Sequence, residues 1–160
     1  MNPIDSTITL GDVAIRLGIA MFIGGIIGVN RDLRGKPAGV RTLGLVSIGA
    51  ALLTIVSIAF GHMQGAVDPG AVSRVAQGII TGIGFLGAGV ILRGQSEQDV
   101  HGLTTAASVW LSACLGIACG AGQWRAALVG LAITLFVLIV GGPIEQWFYQ
   151  RWHRNYSAER

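Results

Sequence analysis

The stretch from Arg74 to Arg93 reads RVAQGIITGIGFLGAGVILR and decides the fold. Eighteen uncharged residues lie between its two arginines, and five of them are glycine. That length is close to the roughly 20 apolar residues that a helix needs to cross hydrocarbon. Gly78-x-x-x-Gly82 and Gly84-x-x-x-Ala88 are pairs of small residues, which let helix backbones approach closely in lipid. The stretch therefore predicts a membrane-spanning helix that packs at the centre of a bundle.

The same stretch contains Gly82-x-Gly84-x-x-Gly87, the letters of a dinucleotide-binding turn. Such a turn needs a strand before it, a helix opening on it and an acidic residue about 20 positions later. Here Asp99 comes only 12 residues after Gly87, and the apolar run continues on both sides. The membrane interpretation explains the glycines better.

The composition indicates a polytopic helical membrane protein. Hydrophobic residues make up 52% of the chain and charged residues 12%, and the mean hydropathy is +0.65. A soluble domain has roughly 25% charged residues. The net charge of +3 gives little support to a nucleic-acid partner. Cys114 and Cys119 form no CxxC motif and no disulfide framework, so they are interpreted as small core residues.

Five apolar segments predict five transmembrane helices in an all-α bundle. They cover about residues 13–29, 42–60, 74–93, 103–121 and 126–140. Gly141-Gly142-Pro143 is expected to end the fifth, so that residues 1–142 form the transmembrane domain and 143–160 an interfacial cytoplasmic tail. Arg16 lies one turn after Asp12, which predicts an ion pair near the membrane surface. Close helix packing is expected at eight glycines: Gly24, Gly28, Gly78, Gly82, Gly84, Gly87, Gly116 and Gly120.

The basic residues predict the orientation in the membrane, because cytoplasmic loops carry an excess of Lys and Arg. With the N-terminus outside and the C-terminus cytoplasmic, the first and third loops and the tail face the cytoplasm. These segments hold eight of the eleven Lys and Arg residues: Arg31, Arg34, Lys36, Arg41, Arg93, Arg151, Arg154 and Arg160.

Three segments, in this order and spacing, together resemble the MgtC/SapB family of bacterial inner-membrane proteins. The first is GGIIG at 24–28, followed by Arg31 and by PAGVRT at 37–42. The second is Asp68-Pro69 with Arg74, followed by GIGFLGAG at 82–89, and the third is GLTTAA at 102–107. The likeness covers about residues 14–122. Family members usually have a glutamate where this chain has Asn30, and many carry a soluble C-terminal domain after the membrane part.

The resemblance implies a multi-pass protein of the bacterial inner membrane that acts in adaptation to low magnesium and in virulence, during growth inside host phagocytes. It implies a regulator of another membrane protein, with the F-type ATP synthase as the partner. The alternative function is a transporter or channel for magnesium or another divalent cation, although no acidic residue lies inside a predicted span. The chain shows no HExxH, GxSxG or paired intramembrane carboxylates, so neither an enzyme nor a cofactor or metal site is predicted.

Polar residues at the ends of the predicted spans form the candidate functional site. Two interpretations are open: these side chains cap helices and fix loops, or they face the bundle interior as a site, because polar groups are costly in lipid. In the second case, Arg41 beside Thr42 offers an arginine fork to an anion or to a partner's carboxylate. Besides the lipid bilayer, a homo-oligomer is a further candidate partner. The candidate residues are Asn30, Arg31, Arg41, Thr42, Asp68, Arg74, Gln77, Thr104 and Thr105.

Overall fold

A computed structural model describes residues 8–63, 69–91 and 102–156 of the chain. The regular elements in these ranges are five α-helices: α1 (Leu10–Leu33), α2 (Val40–Met63), α3 (Pro69–Ile91), α4 (Leu103–Gly120) and α5 (Trp124–Tyr156). Each one is long and apolar enough to cross a membrane. The predicted all-α class with five membrane-length helices is therefore confirmed. The orientation across the bilayer stays a prediction.

α1 begins and ends with side-chain and backbone caps. The Thr9 hydroxyl accepts the Asp12 N–H at 3.2 Å, and the Asp12 carboxylate accepts the Thr9 N–H at 3.2 Å. This reciprocal capping box satisfies backbone donors that have no partner inside the helix. At the other end, α1 continues to Leu33, four residues beyond the expected boundary. A turn through Gly35, whose φ is +61°, then separates α1 from α2.

α4 is the central helix of the bundle. It contacts all four other helices, while α1 also contacts α2 and α5, and α2 also contacts α3. Within the described ranges α3 and α5 do not contact each other. The helices α5, α1, α2 and α3 therefore form an arc around α4 that is open between α3 and α5. On this open side α4 exposes Leu103, Ala107 and Trp110, which lie on one face at helical spacing.

The tightest packing joins α1, α2 and α4 through glycine. A Cβ placed at Gly24 would lie 2.8 Å from the Ser47 Cβ, and one at Gly116 would overlap the Ser47 backbone. Gly28 and Gly120 meet the α2 backbone in the same way, at Val40 and at Ala51. α2 is thus held between two glycine faces. The surrounding core consists of Ala20, Ile23, Ile27, Leu43, Ala51, Val109, Leu115, Cys119, Ala127 and Leu131.

The expectation that the glycine-rich stretch forms the central helix is wrong. Only 6% of the α3 span is buried, against 50% of the α4 span and 44% of the α2 span. α3 buries one side through Ile79, which packs with Ala50 and Ala113. Glycine spacing shows that a helix permits close approach, but it does not show where in the bundle that approach takes place.

The expected end of the fifth helix at Gly141-Gly142-Pro143 is also wrong, because α5 continues to Tyr156. A proline inside a helix has no N–H to donate to the carbonyl four residues earlier. For Pro143 that carbonyl belongs to Ile139, and it accepts a hydrogen bond from the Arg34 guanidinium at 3.4 Å. Arg34, at the end of α1, thus donates the hydrogen bond to the Ile139 carbonyl that Pro143 cannot donate.

Candidate functional site

The loop between α1 and α2 folds around Asp32. The Asp32 carboxylate accepts the Val40 N–H at 3.0 Å, which caps the first turn of α2. A side chain at Gly39 would overlap this carboxylate, and Ala38 adopts a positive φ of 61°. The PAGV sequence therefore forms a tight hairpin whose backbone follows the end of α1. Sequence reasoning missed Asp32, because a capping side chain normally belongs to the residue at the helix start, whereas Asp32 precedes Val40 by eight positions.

Arg31 lies at the centre of this end of the bundle and is only 4% exposed. Its guanidinium donates hydrogen bonds to the Thr105 hydroxyl of α4 and, at 3.4 Å, to the Pro37 carbonyl. The buried Nε has no hydrogen-bond acceptor. Among the described residues no carboxylate pairs with this cation. A buried charge normally has a partner of opposite charge, so Arg31 is held by neutral acceptors at a considerable desolvation cost.

The three sequence segments that carry the family resemblance meet at the beginning of α4. Arg31 and Pro37, from the first segment, reach Thr105 in the third. A Cβ placed at Gly102 would lie 2.9 Å from the Val90 carbonyl, next to the second segment, and Gly102 has a φ of +94°. Inside the second segment, Gly87 packs on Ala106. The segments are therefore distant in the chain but adjacent in the fold.

The other candidate residues at this end are less buried. Asn30 is half-buried, and its Oδ1 atom is buried without a hydrogen-bond donor. Arg41, Thr42 and Thr104 are exposed. With the exposed Arg34 and Lys36 of the loop, Arg41 gives this end a positively charged surface around the buried Arg31. That surface favours an acidic partner or an anionic headgroup.

The candidate residues of α3 lie at the opposite end of the bundle and do not join this site. Arg74 and Gln77 are exposed on α3, where the Gln77 amide lies 3.5 Å from the Ser73 hydroxyl. Thr81 donates to the Gln77 carbonyl at 2.8 Å, a local hydrogen bond of the helix. Asp68 lies outside the described residues.

The predicted packing glycines divide into two groups. The four on α1 and α4 contact α2 as described above, and Gly87 packs on α4. A Cβ placed at Gly78, Gly82 or Gly84 would meet no atom within 4 Å. Gly78 and Gly82 share one face of α3, which is its outer face, and Gly84 lies on a different exposed side of the helix. Packing on the outer face requires a surface beyond the described residues.

Arg16 lies at the end of the bundle where α1 begins, on the same side as Arg74. Its guanidinium donates to the Gly120 carbonyl, the last residue of α4, at 2.7 Å. The expected ion pair with Asp12 is replaced by this contact, since the Asp12 carboxylate is engaged by Thr9. Arg16 thereby ties the start of α1 to the end of α4.

The family model of the MgtC family matches residues 17–147. This range includes every segment that meets at the beginning of α4. The chain belongs to the MgtC family. Relatives in this family include SrpB of Synechococcus elongatus, which is 39% identical over 92% of this chain and 85% of its own length. SapB of Bacillus subtilis is 42% identical over 80% of this chain and 54% of its own length.

Two further MgtC-family relatives carry names that refer to magnesium or to the family itself. MgtC of Salmonella typhimurium LT2 is 42% identical over 76% of this chain and 48% of its own length. A protein of Escherichia coli K12, named "Putative magnesium transporter YhiD", is 39% identical over 91% of this chain and 66% of its own length. The chain thus spans about half the length of SapB and MgtC. No solved structure matches the chain.

Proposed function

We propose that this MgtC-family chain regulates another membrane protein of the bacterial inner membrane by docking against it, in adaptation to low magnesium. The F-type ATP synthase is the partner that the family resemblance suggests. The observation that carries the proposal is the arrangement of α3: it lies at the edge of the arc, and Gly78 and Gly82 on its outer face meet no other side chain or backbone among the described residues.

The outer face of α3 suits contact with a helix of a second protein. Between helices in lipid there is little hydrophobic driving force, so association depends on close packing and hydrogen bonds. Gly78 and Gly82 provide the close approach, and the hydroxyl and amide groups of Thr81 and Gln77 lie exposed on the same helix. The open side of α4, with Trp110 exposed, adds an apolar surface next to α3.

The charged end of the bundle supports docking at a second position. Arg31 is a buried cation without a carboxylate partner among the described residues, and Arg34, Lys36 and Arg41 surround it on the surface. An acidic segment of the partner would meet a complementary surface there, which favours the correct orientation of the two proteins.

A leucine substitution on α3 tests the proposal. Gly82→Leu adds a large side chain at a position where a Cβ would meet no atom of the described residues within 4 Å, so the fold is expected to remain. Gly49→Leu on α2 is the matched control, since Gly49 is also exposed and unfilled. In native membranes, Gly82→Leu is expected to lower the yield of a crosslinked partner about tenfold, the effect of about 1.4 kcal/mol. Equal loss in both variants, or recovery of the wild-type chain alone, would count against docking through α3.

Transport of magnesium is the second candidate function, and the name of the Escherichia coli relative favours it. Magnesium is usually bound by one or two carboxylates with several waters. Asp12 and Asp32, the two acidic residues of α1, are both exposed near helix ends, and the described residues contain no cluster of three or more metal-ligating side chains. Magnesium flux into liposomes that contain only this protein would establish transport and replace the docking proposal.

A further inference from the structure

A pocket of about 290 Å³ opens at the end of the bundle where α1 begins and α4 ends. It lies opposite the Arg31–Thr105 end and has no part in the docking surfaces proposed above. The first turns of α1, the end of α4 and the first residue of α5 form its walls. The residues that matter for its chemistry are Asp12, Ile15, Arg16, Ile19, Gly122 and Trp124.

The pocket contains the Arg16 guanidinium, which is fixed by one hydrogen bond and has further N–H donors without an acceptor among the described residues. Arg16 uses one guanidinium nitrogen for the Gly120 carbonyl, and this is its one hydrogen bond within the described residues. Gly122 has a φ of +76°, and a Cβ placed there would lie 3.3 Å from Nη2 of Arg16. Because glycine occupies this position, no side chain covers that edge of the guanidinium. Its remaining N–H donors are available to an acceptor in the pocket.

The pocket also contains an anion at a defined distance from this cation. Asp12 precedes Arg16 by one helical turn, a spacing that places their Cβ atoms about 6 Å apart. The Thr9 hydroxyl donates to one Asp12 oxygen at 2.8 Å, which orients the carboxylate without neutralising it. Ile15 and Ile19 supply an aliphatic wall, and Trp124 is half-exposed beside it. A ligand that fits carries a negative and a positive charge close together, next to an apolar part.

The position of the pocket in the bundle indicates where such a ligand comes from. The pocket lies at the ends of three membrane-length helices, and Trp is the residue enriched at the depth of lipid headgroups. We propose that it binds the phosphoethanolamine headgroup of a phospholipid. Arg16 binds the phosphate, Asp12 accepts hydrogen bonds from the ammonium group, and the acyl chains follow Ile15 and Ile19 into the membrane.

The charge pair discriminates among phospholipids. A phosphoglycerol headgroup carries a negative charge without an ammonium group, so Asp12 would repel it. A phosphocholine headgroup carries a bulky quaternary ammonium group with no N–H donor, so Asp12 loses its hydrogen bonds. Of these three headgroups, phosphoethanolamine is the one that satisfies both side chains.

Native mass spectrometry of the full chain in detergent tests this assignment. Phosphatidylethanolamine, phosphatidylcholine and phosphatidylglycerol with identical acyl chains are titrated separately, and soluble glycerophosphoethanolamine is added as a competitor. The wild type is expected to retain phosphatidylethanolamine about tenfold better than the other two lipids. Competition by the soluble compound at equal concentration would assign the site to a soluble phosphoethanolamine instead of a lipid. Equal retention of all three lipids would overturn the proposal.

Two substitutions locate the binding. Arg16→Gln is expected to lower retention of phosphatidylethanolamine about tenfold. Asp12→Asn keeps an acceptor for the Thr9 cap, and it is expected to abolish the preference over phosphatidylglycerol while the protein stays folded. Arg151→Gln, an exposed cation near the far end of α5 and outside both the pocket and the docking surfaces, is the control for general electrostatic attraction and is expected to bind like the wild type. A lipid preference that survives both pocket substitutions would place the lipid elsewhere and refute the assignment.

Discussion

The hydrogen bond between Arg31 and Thr105 is expected to hold a buried charge, and this expectation can be tested with a double-mutant cycle. Thr105→Val keeps the shape of the side chain and removes the hydroxyl. The guanidinium then retains only the Pro37 carbonyl at 3.4 Å, and its Nε already has no acceptor. Hydrogen bonds to charged groups contribute about 1.5–3 kcal/mol, whereas cycles measured in a membrane protein reach about 1.7 kcal/mol at most. We expect Thr105→Val to lower the free energy of unfolding by about 1.5 kcal/mol.

The second side of the cycle removes the charge. Arg31→Met fills a similar volume without a cation, and replacing a buried charge by an apolar side chain is often neutral or stabilising. In this background Thr105→Val is expected to cost less than about 0.5 kcal/mol, because the two positions no longer share an interaction. Thr105→Ser is the matched control, since it keeps the hydroxyl and loses one methyl group. It should cost about 0.8 kcal/mol in both backgrounds.

The measurement is reversible unfolding of the four proteins of the cycle in mixed micelles, followed by tryptophan fluorescence. A coupling free energy near 1 kcal/mol is expected between positions 31 and 105. If Thr105→Val cost the same in the presence and absence of the Arg31 charge, the hydroxyl would not be serving the guanidinium. The account of Arg31 as a cation held by neutral acceptors would then be wrong.

Three further predictions concern the helix contacts. Gly116→Ala is expected to lower the free energy of unfolding by about 1–3 kcal/mol, because its Cβ overlaps the backbone of α2, while Gly49→Ala should be neutral or stabilising in the same assay. Asp32→Ala is expected to cost about 1 kcal/mol by removing the cap of α2, and substitution by Asn, which can still cap, should recover most of it. Arg34→Gln is expected to increase amide hydrogen exchange in α5 around Ile139, and Pro143→Ala should remove that sensitivity by restoring the helical donor. If Arg34→Gln increased amide exchange around Ile139 equally with Pro143 and with Pro143→Ala, the last of these predictions would be contradicted.

The helical fold could be predicted from the sequence because it follows from the length and the apolar composition of whole segments. Five apolar stretches of membrane length, separated by Pro, Gly and charged residues, leave helices as the simplest way to satisfy the backbone in lipid. In the structure the glycines of α1 and α4 with four-residue spacing lie in helix contacts with α2. Which helix occupies the centre was not accessible. α3 has more glycine than α4, yet α4 buries half of its span because Ser112, Gly116 and Gly120 all face α2.

The sequence indicates candidate residues for the site, and the structure shows which of them lie close together. Arg31 and Thr105 are both candidate residues from the sequence, and in the structure a hydrogen bond joins them across 74 positions of the chain. Arg74 and Gln77 were named for the same reason, a polar side chain near a span end, but they belong to the other end of the bundle. Sequence position near a span end gives the depth of a residue in the membrane. It does not give the helix face, which decides whether a side chain meets a neighbour, lipid or water.

The burial of Arg31 follows from the true length of α1. A helix that ended at Val29 would leave Arg31 in a loop at the membrane surface, where an arginine extends toward water and phosphate. α1 instead continues to Leu33, and the Asp32 cap turns the chain back so that α2 starts directly beside it. The guanidinium is then enclosed by the hairpin and by α4, and its charge has only neutral acceptors. Since a cation in that position is costly, an anionic group that docks on this end would stabilise the bundle as well as bind to it.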